Sequence, residues 1–315
     1  MRSVERIDGD VRVSERPDPA PAAGQVVVRM RAAGLNISDK PGDRYAGPRS
    51  ADWVPGLELA GERVDSGELV LGLVEGGAHA ELVAVDERHL VPLPDGVDLA
   101  AGAGFLEAFT TAHNALVTLA NVERGARVLV SGSVATTGLA SVQVADALGA
   151  TVTADLPGLT RAPEHANAVE YYSGKLRELG AAEVVVPGEA DGPFDVILHV
   201  VGDLGQTLPR LARNGRIVLA NTEALNTTVG GSVQELDLGV LMRLRGTIQS
   251  SLLRAMTPDE KADAVAAATR DLLPLLAAGR IGMPVDSTFP LSEASAAFAR
   301  FDEAGKWGKV VLTAP

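Results

Sequence analysis

Short apolar stretches separated by Gly, Pro and Asp dominate the first third of the chain. Gln25–Gly34 (QVVVRMRAAG) and His79–Asp86 (HAELVAVD) are rich in β-branched residues and partly alternate between apolar and polar positions. Segments of this kind are typical of half-buried strands. We therefore predict a β-rich N-terminal part, with little helix before about residue 98.

Beyond that point, strands that are almost wholly apolar alternate with helix-length segments. The predicted strands of this region are Arg127–Ser131, Ala150–Ala154, Glu183–Val186, Asp195–Val200, Arg216–Ala220 and Arg245–Gln249. Continuous apolar strands are typical of parallel sheets that are buried on both faces. Helical segments such as Gly138–Leu148 and Glu164–Leu179 lie between them. The alternation predicts βαβ units in a doubly wound parallel sheet.

The C-terminal part begins with a helix start signal, Thr257-Pro258-Asp259-Glu260, in which Thr is the cap and Pro the first helical residue. We expect Pro274 to kink or end this helix and Gly279 to close the segment. A strand (Val285–Phe289), a helix (Ser292–Glu303) and a strand (Gly308–Thr313) are predicted to follow. The simplest architecture is a β-rich domain over 1–117, an inserted α/β domain over 118–256, and a connecting helix with a return to the first domain over 257–315.

Composition and charge narrow the possible partners and compartments. The chain has 315 residues, of which 46% are hydrophobic and 22% charged, as expected for a folded protein of two domains. A net charge of −13 repels nucleic-acid phosphates and anionic lipids, so we expect neither partner. The absence of cysteine excludes disulfides, thiolate catalysis and Cys-ligated zinc. No signal peptide or membrane span is visible, and we expect a cytoplasmic protein.

A turn of small residues connects the strand Arg127–Ser131 to the predicted helix that follows it, which is the context of a dinucleotide-binding turn. Backbone N–H groups and the dipole at such a helix start attract a pyrophosphate. Ala135 stands where Gly would allow the closest approach of backbone to phosphate. The candidate cofactor-binding residues of the turn are Gly132, Ser133, Ala135, Thr136, Thr137 and Gly138. The alternative is a βα turn whose glycines serve only its geometry.

An acidic residue follows the next strand of this region. Asp155 lies 23 residues after Gly132, a separation that suits a carboxylate on the adenosine ribose hydroxyls and so favours NADH. Arg161 and Lys175 lie nearby and are candidates for binding a ribose phosphate instead. A solvated loop residue or a cap is the alternative role for Asp155. The choice between NADPH and NADH stays open at this stage.

Six stretches of the chain, in order, carry a family resemblance. They are Ala32–Lys40, Val54–Val64, Gly76–Val97, Phe105–Leu116, the glycine turn with Ser141–Ala150, and Gly305–Pro315. On these the chain resembles the zinc-independent medium-chain dehydrogenase/reductase family, in particular its quinone oxidoreductase and enoyl reductase branch. The resemblance implies an α/β protein with a GroES-like β-rich domain and an inserted Rossmann-type domain. It also implies hydride transfer from NADPH or NADH to an activated C=C bond (an enone or enoyl thioester) or a quinone, a homodimer, and no metal.

The resemblance also implies catalytic residues. Asn36 and Asp39 occupy positions that line the family's cleft near the nicotinamide, although a strand-end turn stabilised by their side chains is the alternative. Tyr45 lies where related enoyl reductases place a tyrosine that protonates the carbon next to the carbonyl. An ordinary surface or core tyrosine is the alternative. Glu107 is either a pocket carboxylate or a buried residue bonded to backbone.

Four further residues are implied to bind the cofactor. Thr111 would help to hold the nicotinamide end, and Gly202 and Asn221 follow predicted parallel strands at the edge where ligands bind. Both are also common turn residues. Lys309 resembles a family position near the cofactor, with a solvated lysine as the alternative.

The chain departs from the family pattern around the expected cofactor. Ala135 replaces the middle glycine of the turn, and the loop from Asp155 to about Asn167 is longer than usual. These departures keep a second hypothesis open, in which the cofactor site is lost or repurposed and the protein is a redox-neutral cyclase, isomerase or lyase. A third hypothesis is a binding or regulatory protein with a vestigial site.

Overall fold

The computed structural model describes residues 1–7, 10–40, 53–220 and 235–315. The chain divides into two compact units. The first comprises Met1–Glu107 and Arg254–Pro315, and the second comprises Ala108–Leu253. Within the described ranges, no helix is long and apolar enough to span a membrane.

Strands and helices follow one another along the chain in the order that the apolar pattern predicts. In chain order the strands are β1 (Arg2–Ile7), β2 (Asp10–Glu15), β3 (Gln25–Gly34), β4 (Glu58–Arg63), β5 (Leu69–Leu73), β6 (Leu82–Asp86), β7 (Leu90–Pro92), β8 (Arg127–Ser131), β9 (Thr151–Asp155), β10 (Glu183–Val185), β11 (Phe194–His199), β12 (Leu211–Leu219), β13 (Thr247–Ser250), β14 (Val285–Pro290) and β15 (Lys309–Thr313). The α-helices described are α1 (Leu99–Gly102), α2 (Leu106–His113), α3 (Thr136–Ala147), α4 (Ala166–Glu178), α5 (Leu204–Thr207), α6 (Leu238–Leu244), α7 (Pro258–Ala277) and α8 (Ala294–Asp302).

The first unit is built on a seven-stranded sheet in the order β14-β15-β3-β4-β5-β7, with β6 paired to β3, and on a β1–β2 hairpin. All neighbours in the large sheet are antiparallel except β14 and β15. The core includes Met30, Leu59 and Leu312 from the sheet and Phe298 from α8. Strands from both ends of the chain therefore share one sheet in the first unit.

The second unit contains a six-stranded, wholly parallel sheet in the order β10-β9-β8-β11-β12-β13. Numbered from its first strand, this is the order 3-2-1-4-5-6 of the doubly wound dinucleotide-binding fold. Val128, Val130 and Leu198 of the central strands have no exposed surface, because helices cover both faces of such a sheet. The predicted fold class is confirmed.

Of the two effects expected of Pro274, ending the helix is wrong. The α7 helix begins, as expected, with a Thr257–Glu260 capping box, but it continues through Pro274 to Ala277. Leu272 and Leu276 lie on its buried face on either side of the proline. Burial of that face offsets the loss of one backbone hydrogen bond within the last turn.

Candidate functional site

The turn between β8 and α3 has a backbone that only glycine fits at two positions. Gly132 has φ +90°, and a Cβ added there would lie 2.7 Å from the Val201 backbone nitrogen. A Cβ on Gly138 would lie 2.2 Å from the Gly132 carbonyl oxygen and 2.7 Å from the Ser133 Cα. Both glycines therefore allow the chain to turn tightly and the helix to pack directly against the turn.

The start of α3 is open to an anion. Ala135 is the residue that precedes the helix, in an extended conformation, and its side chain provides no hydrogen-bonding cap. The Ala135 N–H donates to the Gly132 carbonyl (3.1 Å), so the turn closes on itself before the helix begins. The first N–H groups of a helix have no partner within it and carry its positive dipole end. The small residues and uncapped start fit a bound phosphate, and Thr136 and Thr137 offer half-buried hydroxyls beside it.

Asp155 at the end of β9 points into this turn. Its Oδ1 accepts a hydrogen bond from the Gly132 N–H (2.8 Å), and its Oδ2 lies 3.0 Å from Ser131 Oγ. The Asp155 backbone carbonyl accepts from the Ser133 N–H (3.3 Å) and from the Ser133 hydroxyl. The side chain is 6% exposed. Asp155 thus holds the two arms of the glycine turn together.

The contacts of the Ser131 hydroxyl indicate the protonation state of Asp155. Ser131 Oγ lies 2.9 Å from the Val201 carbonyl as well as 3.0 Å from Asp155 Oδ2, and a hydroxyl has one hydrogen to donate. Both contacts are hydrogen bonds when a protonated Asp155 donates to Ser131 and Ser131 donates to Val201. Burial raises the pKa of Asp155 to about 6, against the opposing effect of its hydrogen bonds and of Arg210.

A small pocket lies beside Asp155 at the carboxyl ends of the parallel strands. Its walls include Pro157, Gly188, Gly202 and Arg210 together with Asp155. The Arg210 guanidinium donates to the Ala190 carbonyl (2.7 Å), to a second carbonyl of the same loop and to one carbonyl of α5. Ligands of doubly wound folds bind at this edge of the sheet.

In the first unit, Lys309 and Glu58 form a buried ion pair. Lys309 Nζ lies 2.6 Å from Glu58 Oε1, and neither side chain is more than 1% exposed. Lys309 also donates to Asn36 Oδ1 and to the Leu35 carbonyl (3.3 Å). Asn36 Nδ2 in turn donates to Glu58 Oε1 (3.2 Å). Lys309 is therefore part of a buried polar network, and the interpretation of it as a solvated lysine is wrong.

Both carboxylate oxygens of Asp39 accept hydrogen bonds from backbone N–H groups. Its Oδ2 accepts from the Asn36 N–H (2.7 Å) and its Oδ1 from the Gly56 N–H (2.7 Å). His79 lies 3.9 Å from Asp39 Oδ2, and burial lowers the pKa of the imidazole. These contacts match the alternative in which Asn36 and Asp39 stabilise a turn at the end of a strand.

Glu107 adds a second carboxyl group to this network. Its backbone N–H donates to Glu58 Oε2 (3.0 Å). Burial and the Glu58 charge raise the pKa of Glu107 to about 7, and the positive charges of Lys261, Lys309 and Arg254 only partly offset them. The residue keeps some exposed surface. A carboxyl group with such a pKa holds a proton and can release it near neutral pH.

The structure brings the predicted residues together as two groups. Thr111 is buried in the second unit, and Gly202, at φ +130°, lies against Ser131 and the pocket. Tyr45 and Asn221 lie outside the described residues. Sequence reasoning missed Glu58, whose signal is an acidic residue between Leu57 and Leu59 at the start of β4. No cluster of three or more metal-ligating side chains occurs in the part of the chain that the structure describes.

Comparisons with known proteins agree with this architecture. Residues 179–312 match a family model described as zinc-binding dehydrogenase. The quinone oxidoreductase from Thermus thermophilus, solved alone and as its complex with NADPH, is 30% identical, with a TM-score of 0.80 and full coverage of both chains. The quinone oxidoreductase-like protein 2 of Bos taurus is 26% identical over 96% of this chain and 88% of its own length.

A longer relative is also similar. The polyketide synthase system protein NorB of Streptomyces orinoci is 30% identical over 93% of this chain, which spans 13% of that protein's length. The parallel sheet, the glycine turn and the full-length match together define a medium-chain dehydrogenase/reductase. The chain belongs to the quinone oxidoreductase branch of that family.

Proposed function

We propose that the protein is an NAD(P)H-dependent reductase acting on an activated C=C bond, such as that of an enone or enoyl thioester, or on a quinone. The observation that carries the proposal is the glycine turn, where Gly132 and Gly138 bring backbone close to an uncapped helix start. The T. thermophilus relative, which binds NADPH, supports the same assignment. Ala135 adds only a methyl group at this position, and the backbone donors around it remain.

In this proposal, different residues of the second unit bind different parts of the cofactor. The N–H groups of Thr136, Thr137 and Gly138 bind the pyrophosphate, and Ser133 and Asp155 keep the turn in place. Gly202 lies at the same edge of the sheet and Thr111 helps to hold the nicotinamide end, while Asn221 stays a cofactor-binding prediction of the resemblance. When bound, the nicotinamide supplies the hydride for the reaction.

The reaction also needs a proton donor, and Glu107 is the one we propose. After hydride addition to a conjugated carbonyl compound, the resulting enolate needs a proton. Glu107 is a source for it, because the carboxyl group is protonated for much of the time near neutral pH. The Lys309–Glu58–Asn36 network fixes the position of the Glu107 backbone. Tyr45, as implied by the resemblance, stays a second prediction for this step.

We also propose a cytoplasmic homodimer. Among the described residues, the edge strand β13 has a strand partner on one side, and its other side is available for pairing with a second copy. On the neighbouring helix α6, Leu238 is 62% and Met242 78% exposed, which is a surface suited to burial in an interface. Light scattering at micromolar concentration tests this: a monomer mass would contradict it.

The function is tested by following oxidation of NADPH and of NADH with a quinone, an enone and an enoyl thioester as acceptors. We expect turnover of at least one acceptor class with one nucleotide. Turnover of a conjugated carbonyl compound without any nucleotide would replace the reductase by the redox-neutral alternative. Nucleotide binding with none of the acceptors reduced would overturn the proposed substrate class.

A further inference from the structure

The position of the Asp155 side chain raises the question of which residue meets the adenosine ribose. Asp155 has one carboxylate oxygen bonded to the Gly132 N–H and the other to Ser131 Oγ, with 6% of the residue exposed. Both oxygens are thus engaged within the turn, and although Asp155 lines the pocket, little of its surface is exposed there. Residues at the rim of the pocket are therefore the better candidates to contact the ribose.

A bidentate ion pair stands on that rim. The Arg161 Nε lies 3.1 Å and 3.0 Å from the two carboxylate oxygens of Glu189, and its Nη2 lies 2.8 Å from Oε2. Arg161 belongs to the long loop after β9, whose residue Pro157 lines the pocket. Gly188 and Ala190, on either side of Glu189, line the same pocket with Asp155. The pair thus links the two loops that frame the pocket.

The pair is easily exchanged for another anion. Arg161 is 56% and Glu189 41% exposed, and exposed ion pairs contribute little because water screens them. A phosphate monoester carries more charge than a carboxylate and offers more oxygens to the planar guanidinium. A phosphate on the adenosine ribose can therefore displace Glu189 from Arg161.

We propose that the Arg161–Glu189 pair selects between a phosphorylated and a free adenosine ribose, while Asp155 is a positioning residue of the glycine turn. In this arrangement Arg161 binds the 2′-phosphate of NADPH. Glu189 competes for the same guanidinium and tempers that preference. The inference rests on the proposed nucleotide binding and adds to it the residues that choose the nucleotide.

The chain offers matched variants for a test by calorimetric titration with NADPH, NADH, adenosine 2′,5′-bisphosphate and 5′-AMP. We expect Arg161→Gln to weaken binding of NADPH and of the bisphosphate by about tenfold or more, and to leave NADH and 5′-AMP unchanged. Glu189→Gln should strengthen binding of the two ribose phosphates by a few-fold. Arg177→Gln is the control, because it removes one positive charge from an exposed residue of α4 in the same unit.

Asp155→Asn separates the two roles. Asparagine can still accept from Gly132 and donate to Ser131, so we expect the ratio of NADPH to NADH affinity to stay within about twofold of wild type. A large shift of that ratio toward NADPH would show that Asp155 itself reads the ribose and would overturn the proposal. Equal losses in Arg161→Gln and Arg177→Gln would also overturn it, as an effect of net charge. Failure of the wild type to bind any of the four nucleotides would instead overturn the proposed function, and this inference with it.

Discussion

Lys309 and Glu58 form an ion pair at 2.6 Å in which neither side chain is more than 1% exposed. One residue begins the last strand of the chain and the other begins β4, so their attraction links distant segments in the first unit. Such a pair is expensive to break, since the residue that remains is a buried charge without a counter-ion.

Replacing Lys309 by Met should therefore lower the free energy of unfolding by about 3–5 kcal/mol. The double variant Glu58→Gln/Lys309→Met should recover much of the loss, because it leaves no unpaired charge. Denaturant unfolding measures both values. Lys175→Met is the control for an exposed pair, with an expected cost of at most about 1 kcal/mol. Equal effects of the two lysine substitutions would contradict the account of the buried pair.

Gly138 and Gly174 both lie in helices, and substituting each of them by alanine gives a matched test of the glycine turn. A Cβ on Gly138 would lie 2.2 Å from the Gly132 carbonyl oxygen, whereas a Cβ on Gly174 would meet nothing within 4 Å. Gly138→Ala should destabilise the second unit and weaken nucleotide binding by at least about tenfold. Gly174→Ala should stabilise the helix by about 0.5–1 kcal/mol and leave binding unchanged. Thermal melting and titration report the two effects, and wild-type affinity in Gly138→Ala would contradict the role of the turn.

Asp155 should make stability depend on pH. Its pKa is raised from 3.8 to about 6, so the folded state holds the proton more tightly than the unfolded state. Its contribution to stability is therefore greatest at low pH and is lost as pH rises from about 4 to about 6. Asp155→Asn removes this dependence, and its gain over wild type should grow across that interval to at most about 3 kcal/mol.

Unfolding measured at several pH values tests the Asp155 prediction. Wild type and Asp155→Asn are measured side by side at each pH. A gain in Asp155→Asn that is constant from pH 4 to pH 8 would show that the carboxyl group is not the source of the dependence.

Glu107 should set the alkaline side of the activity profile. As the proposed proton donor it acts in its protonated form, so turnover of a conjugated carbonyl substrate should fall as pH rises through about 7. Glu107→Gln should reduce kcat by about 100-fold and flatten that fall, with NADPH affinity unchanged. Steady-state kinetics between pH 5 and pH 9 provide the profile. An unaltered profile in the variant would assign the proton to another group, with Tyr45 the next to replace.

The sequence is most informative where local pattern decides structure. The strand Arg127–Ser131 is predicted with its observed bounds, because an apolar run between Gly-rich turns leaves few other choices. The continuation of α7 past Pro274 is not predicted, since the burial of Leu272 and Leu276 is a tertiary effect that outweighs the proline. The inward direction of the Asp155 side chain cannot be predicted from the sequence either. It depends on hydrogen bonds to Ser131 at the end of another strand and to Gly132 in the turn after it.

Charged residues inside apolar strands are the signal that sequence reasoning passed over. Glu58 and Lys309 each stand in such a strand, and a buried charge needs a partner. Their pairing could not be read from spacing, because they are far apart in the chain and meet only when the sheet of the first unit forms.

The glycine turn should still bind a nicotinamide nucleotide, although Ala135 replaces a glycine. Calorimetric titration of the wild-type protein with NADPH and with NADH tests it most directly. We predict micromolar binding of at least one of the two nucleotides. This binding should be lost in the Gly138→Ala variant and kept in the Gly174→Ala variant. Absence of binding of both nucleotides at millimolar concentration to the folded protein would contradict it, and hydride transfer would then have to be abandoned as the function.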